Sequence, residues 1–417
     1  MLSARPCGKM WHWIAIQLLV AVGFNFACKG DAIDQGSVSA AVFWWTPVVF
    51  GPLASTSSHL IFSDVLRAST GPATILASDH HHPVLLQGIS EIDQGKVVPL
   101  PIDAEDLRIA RGPADSIWIG GQKFLGYSEL VSYRAEAYLA RFDDSGHLLW
   151  EHRFQGQRQE TIESLVSLPS GDVVVAGKGD GRTWLARISS RGEIIWERYV
   201  GVDKGADVTL VGDQIALVAF ETNETEDAVA LWRFDMDGQT LGRRVVREAL
   251  NHSPNYYWHD RPRIEQFQGA VYVFTGLTAV FSPSPSKPLE VDKFDSHGDP
   301  IWRKELPETL LETQSGKISV LCEFAAAVLS NGDPLIACRL HQKTLFHLKA
   351  GTGALTRQFL QLPKGPAECD GAWSQIKFLE ERDNGALWFF GSPTEGDGAT
   401  VCAWVGQAPA ADVDGMR

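Results

Sequence analysis

The sequence predicts an all-β protein, a seven-bladed β-propeller of four-stranded antiparallel blades closed by its N-terminal strand pairing with the last blade. Three observations point there: a glycine-turn phrase recurring at blade length, seven near-continuous apolar runs between its copies, and an orphan aromatic strand near the N-terminus. Composition agrees, since 14 Trp and 39 Gly with only 4 Met in 417 residues suit short aromatic strands and tight turns better than helical bundles.

The phrase is a short apolar strand, a turn with Asp or Ser and Gly, and a strand with Trp four residues after that Gly. Its clearest copies run from Tyr138 to Trp150, with the turn at Gly146, and from Trp184 to Trp196, with the turn at Gly192. A third, from Leu231 through Gly238, has Gly242 where the Trp should fall; a fourth, from Lys293 through Gly298, restores it as Trp302. Weaker copies turn at Gly95 and Gly353, so the six glycines are 51, 46, 46, 60 and 55 residues apart, the length of one four-stranded blade. Glycine recurs because the tight hairpin needs positive φ there, and Asp before it can bond the turn backbone.

Ahead of the hairpins stand the apolar runs 74–77, 116–121, 172–177, 214–219, 270–274, 333–338 and 386–391. Their continuous hydrophobicity predicts inner strands covered on both faces, with small residues at the crowded centre. The last blade lacks an outer strand, because only eleven residues follow Gly406. The aromatic segment 43–50 resembles the outer strand around Trp150 and is expected to fill that place, removing two unpaired edges. The expected organisation is a targeting segment at 1–27, a linker at 28–40, one propeller at 41–406 with its closing strand at 41–51, and a tail at 407–417.

In the first 27 residues Arg5 and Lys9 precede an apolar run ending at Ala27, the pattern of a removable export signal. Cys28, directly after it, is the candidate for lipidation as in a bacterial lipoprotein; plain secretion is the alternative. Either way the chain is expected in the bacterial cell envelope or outside it. Net charge is −14, and removing residues 1–27 takes two basic residues and no acidic one, leaving −16. That excludes nucleic acid as a natural partner and leaves a lipid on Cys28 as the route to a membrane. Cys322, Cys338, Cys369 and Cys402 allow three disulfide pairings, of which the local pairs 322–338 and 369–402 are favoured.

The repeated phrases resemble the blades of secreted bacterial propeller proteins, over nearly all of 40–406. They are also similar to the tryptophan-docking repeat of the quinoprotein-like group: Ala140, Ser145, Gly146 and Trp150 match it, and Ala186, Gly192 and Trp196 match in part. The resemblance implies blades locked by docked indoles. The residues holding quinone, metal and catalytic Asp in quinoprotein dehydrogenases have no counterparts here, so it implies no cofactor and points toward envelope scaffolds.

The candidate binding loop is the long aromatic insertion between the fourth and fifth blades. Tyr256, Tyr257 and Trp258 can stack on a sugar or a peptide, and His259, Asp260 and Arg261 supply polar contacts at a channel mouth where propellers commonly bind ligands. The same loop also fits a plain cap over a blade. His80 and His82 lie on one face of a strand and are the candidate metal ligands, against the simpler reading of a surface turn. The expected function is a non-catalytic binding or scaffold propeller, monomeric, for a protein or glycan. The alternative is a propeller enzyme, a hydrolase, lyase or quinoprotein-like oxidoreductase, with His259 and Asp260 as first catalytic pair.

Overall fold

The computed structural model describes residues 44–47, 61–66, 73–79, 82–89, 96–126, 134–154, 160–202, 205–222, 226–251, 257–258, 261–276, 278–279, 289–306, 309–313, 316–320, 324–338, 344–359, 374–382, 386–393 and 404–408. The fold is an all-β propeller of four-stranded antiparallel blades. Among the described residues there are seven four-stranded sheets, six of them built from strands in chain order, the fifth of these interrupted by Thr278–Ala279, which pairs elsewhere. In the seventh, Ser374–Glu381, Leu387–Pro393 and Trp404–Ala408 are joined by Trp44–Pro47, with Trp44 opposite Gln407 and Pro47 opposite Trp404.

The innermost strands are Ile61–Leu66, Glu105–Arg111, Thr161–Ser167, Ala206–Val211, Arg263–Phe267, Phe324–Val328 and Ser374–Glu381. Each touches the next, and the last also meets the first. Among the described residues, apolar side chains of adjacent sheets merge into one cluster at each of six junctions. Leu76 and Leu85 of the first sheet pack with Ile109 and Ile119 of the second, and Val65 and Ile75 of the first pack with Trp388 and Phe390 of the seventh. Burial of these faces is the main force holding sheet to sheet.

One expectation is corrected here. The seven apolar runs were placed at the centre, but they form the second strand of each sheet, as in Val173–Gly179 and Gln214–Thr222. A second strand is covered by both neighbouring sheets and paired along both edges, so it takes continuous hydrophobicity. The innermost strand turns one edge to the channel and carries charges, as the stretches from Phe62 to Leu66 and from Thr161 to Ser167 show.

The hairpin turns form as their residues dictate. Gly146 and Gly238 have φ of 85° and 76°, and Asp143 Oδ1 accepts from the amides of Ser145 (2.9 Å) and His147 (2.8 Å). Asp235 and Asp295 repeat this in the fourth and fifth sheets. Three of the turns, those at Gly192, Gly238 and Gly353, also seat an indole from the preceding sheet. Trp150 Nε1 donates to Ser190 O (3.1 Å), Trp196 Nε1 to Met236 O (2.9 Å) and Trp302 Nε1 to Ala350 O (2.9 Å). A Cβ on Gly238 would stand 2.7 Å from the Trp196 ring, so this glycine is required by its neighbour's indole as well as by its own φ.

Candidate functional site

The insertion after the fourth sheet enters the propeller face where outer strands pass to innermost ones. Its Tyr257–Trp258 segment pairs with Thr278–Ala279, with Tyr257 opposite Ala279 and Trp258 opposite Thr278. Two excursions on this face are thereby fastened together. Tyr256, His259 and Asp260 lie outside the described residues, as do the side chains of Tyr257 and Trp258.

Arg261 is the member of that loop whose side chain is placed. Its Nη1 donates to the backbone carbonyl of Glu163 in the third sheet, and its aliphatic stem covers Gly205. Arg108 Nε, from the second sheet, donates to the same carbonyl at 3.1 Å. Two guanidiniums from opposite sides thus share one acceptor inside the channel. Arg263 lies beside them, and burial, with the neighbouring cations, pushes the pKa of both Arg261 and Arg263 down. The guanidiniums keep their charge because Asp64, Glu163 and Asp207 surround them.

Those three carboxylates each bind the next innermost strand. Asp64 Oδ2 accepts from Ile109 N (3.0 Å), Glu163 Oε2 from Ala206 N (2.9 Å) and Asp207 Oδ2 from Ile264 N (3.1 Å). Ser164 takes the same role with Val208 N (3.2 Å) while its hydroxyl donates to Asp207 Oδ1 (2.5 Å). Irregular pairing helps aim them: the register shifts between Phe62 and Asp64, between Glu105 and Arg108, and between Ile162 and Ser164, and a bulge re-aims the side chains around it. The channel groups therefore act as ties between sheets, with the arginines filling the space among them.

Nearer the rim of this face stands Glu160, immediately before the third innermost strand. Burial first, then the carboxylates of Asp180, Glu136 and Glu197, push its pKa up to about 7. Its folded value exceeds the ordinary one of about 4.3, so the folded state holds a proton that the unfolded chain releases. The resulting stabilisation is present below about pH 4.3 and is lost as pH rises through about 7. Glu160→Gln is expected to flatten this fall, measured by urea unfolding from pH 4.5 to 8. Asp292, also raised, to about 6 by burial, lies inside the fifth sheet against Arg303 (2.6 Å) and belongs to the interior.

The remaining candidates do not meet at this site. Cys28, His80, Cys322, Cys369 and Cys402 lie outside the described residues, and of His82 and Cys338 only the backbone is described. His82 pairs with Asp79 at the end of the first hairpin. Among the described residues no group of three metal-ligating side chains occurs, and no helix is long and apolar enough to cross a membrane. Sequence reasoning missed Asp64, Arg108, Glu163 and Asp207. Their signal was a charged residue recurring in the short strands before the first four apolar runs.

No protein-family model matches the chain, and no curated protein does. Among solved structures it is similar to the Neurospora crassa Pan2 WD40 domain, with 9% identity over 85% of this chain and 97% of that one and a TM-score of 0.48. It is also similar to an α-L-arabinofuranosidase of Fusarium graminearum with arabinobiose, at 11% identity, 73% and 95% coverage and a TM-score of 0.43. Drosophila Plexin A in complex with Semaphorin 1b gives 8% identity, 89% and 87% coverage and a TM-score of 0.47. Likeness of this degree carries nothing about activity or partners.

Proposed function

We propose that the chain is a non-catalytic binding or scaffold propeller of the bacterial envelope, exported by residues 1–27 and either lipid-anchored through Cys28 or released. In this reading the seven sheets form one closed ring of tryptophan-docking blades, with 44–47 as its clasp. The monomer receives a protein or glycan on the face carrying the 252–262 insertion. The observation that supports it is the anchoring of that loop. Arg261 ties its base to Glu163 across the channel, and Tyr257–Trp258 pairs with Thr278–Ala279. Backbone held at 257–258 and at 261 has little ordering left to lose on binding, while the channel carboxylates are committed to backbone amides.

The test is a photo-crosslinking residue at position 258 in the producing bacterium, alongside glycan arrays with purified protein. The expected result is a discrete protein adduct or a defined set of glycan hits, reduced about tenfold by Arg261→Ala. One observation favours the enzymatic reading instead: Glu160, with its pKa pushed up to about 7, is suited to proton transfer near neutrality. Depolymerisation of a polysaccharide by the purified chain, abolished by Glu160→Gln, would replace the binding reading with a hydrolase or lyase.

A further inference from the structure

At the fourth-to-fifth junction an arginine takes the place of the docking indole, whereas at the first-to-second junction Val98 fills the place against Gly146. In the second, third and fifth sheets the docking Trp sits opposite a cation on the neighbouring strand: Trp150 opposite Arg141, Trp196 opposite Arg187 and Trp302 opposite Lys293. Each cation donates to the same carbonyl as the indole, at 3.1 Å to Ser190, 2.9 Å to Met236 and 2.8 Å to Ala350. In the fourth sheet the register is identical, with Arg233 opposite Gly242. Arg233 Nη1 still reaches the corresponding carbonyl, Ser296 O, at 3.2 Å, but no indole accompanies it.

What remains is a cavity of about 320 Å³ lined by Leu231, Arg233, Gly242, Arg244, His297 and Asp299 among others. The Arg233 guanidinium stands at its turn side, its Nε 3.2 Å from where a Cβ on Gly298 would stand. At the other three junctions that place against the turn glycine is held by an indole. Three arginines line it: Arg243 is paired with Glu221 and Arg244 with Asp299 (2.7 Å), and Arg233 donates to Ser296 O and Gln214 Oε1 (3.3 Å) with the Asp295 carboxylate close by. The Arg243 and Arg244 side chains are each 43% exposed, and ion pairs so exposed are weak enough for a partner's carboxylates to compete for these guanidiniums.

We propose that this docking slot, which lacks its indole and is floored by Arg233, binds a tryptophan side chain presented by a partner protein, with acidic residues flanking that tryptophan. The incoming ring stacks on the Arg233 guanidinium, a favoured partner for an indole face, and its N–H shares Ser296 O as the intrinsic indoles share their carbonyls. The flanking carboxylates meet Arg243 and Arg244. The site lies at the turn end of the strand Thr240–Asn251, the opposite end from the 252–262 insertion. It therefore stands independently of the channel-mouth reading.

The experiment uses the whole chain and a capped tetrapeptide, Asp-Trp-Glu-Asp, followed by saturation-transfer NMR and calorimetry. Binding in the millimolar range is expected, at least tenfold weaker when the peptide Trp is Ala. Gly242→Trp, which restores the missing indole, is expected to abolish binding and raise the melting temperature. Arg244→Glu, on the exposed wall, should weaken peptide binding about tenfold without refolding the slot. The proposal is overturned if the Trp and Ala peptides bind alike, which would mark the slot as an anion site only. It is equally overturned if the Trp peptide does not bind, or if binding survives Gly242→Trp. Arg261→Ala should leave this binding unchanged while impairing the channel mouth, so the two sites fail separately.

Discussion

Replacing Trp196 by alanine is expected to destabilise the protein by about 3 kcal/mol, the lower part of the range for a truncated Trp because this ring is half-buried. The indole belongs to the cluster between the third and fourth sheets, donates to Met236 O and lies under the Arg198 guanidinium, 5.8 Å from the ring centre. Truncation removes all three contacts and opens a gap beside Gly238 that the backbone cannot close. Urea unfolding followed by tryptophan fluorescence and by far-ultraviolet dichroism reads the loss. Trp196→Phe keeps the stack and loses the hydrogen bond, so its cost is expected near 1 kcal/mol. Equal costs for the two variants would mean the hydrogen bond, and not the stack, fastens the sheets.

The second large effect is expected at Asp207→Ala, a loss of about 3–4 kcal/mol. Asp207 accepts from Ser164 Oγ, from its own strand at Val208 N (3.1 Å) and from Ile264 N in the next sheet, and its charge offsets Arg261 and Arg263. Removing it leaves half-buried cations with less compensation and an amide without its acceptor. Asp207→Asn restores the acceptor without the charge and should fall between. Should Asp207→Ala unfold at the wild-type urea midpoint, the channel carboxylates would be free for chemistry, and the enzymatic reading would gain.

The sequence made the turns and indoles legible because each is a local rule: Asp143 or Asp235 folds back on its own amides, and Gly146 or Gly238 accepts positive φ. The apolar runs were equally visible, yet their place was misjudged by one strand. Hydrophobicity reports coverage, and in a propeller the best-covered strand is the second, where Val174 and Val218 are wholly buried, rather than the one lining the channel. Asp64, Arg108, Glu163 and Asp207 escaped notice because charges scattered through short strands look like solvated faces until the fold brings them together. Arg261 was singled out, but as a ligand contact; its hold on a residue 98 positions earlier is a property of the fold alone. Gly242 stood out as a broken repeat, and only the placing of Arg233 showed that the break leaves a cavity.

The same break bears on how the chain comes apart. In an array where each unit is held by its neighbours, stability is a sum of unit terms and junction terms, and cooperativity fails first where a junction term is smallest. The fourth-to-fifth junction keeps its apolar cluster, including Val218, Val229 and Val273, but is the one among the second to sixth sheets' described turns with an arginine where an indole would dock. This junction is expected to part before the others, and sub-global opening there would expose Gly242 and Gly298 while the remaining junctions stay closed.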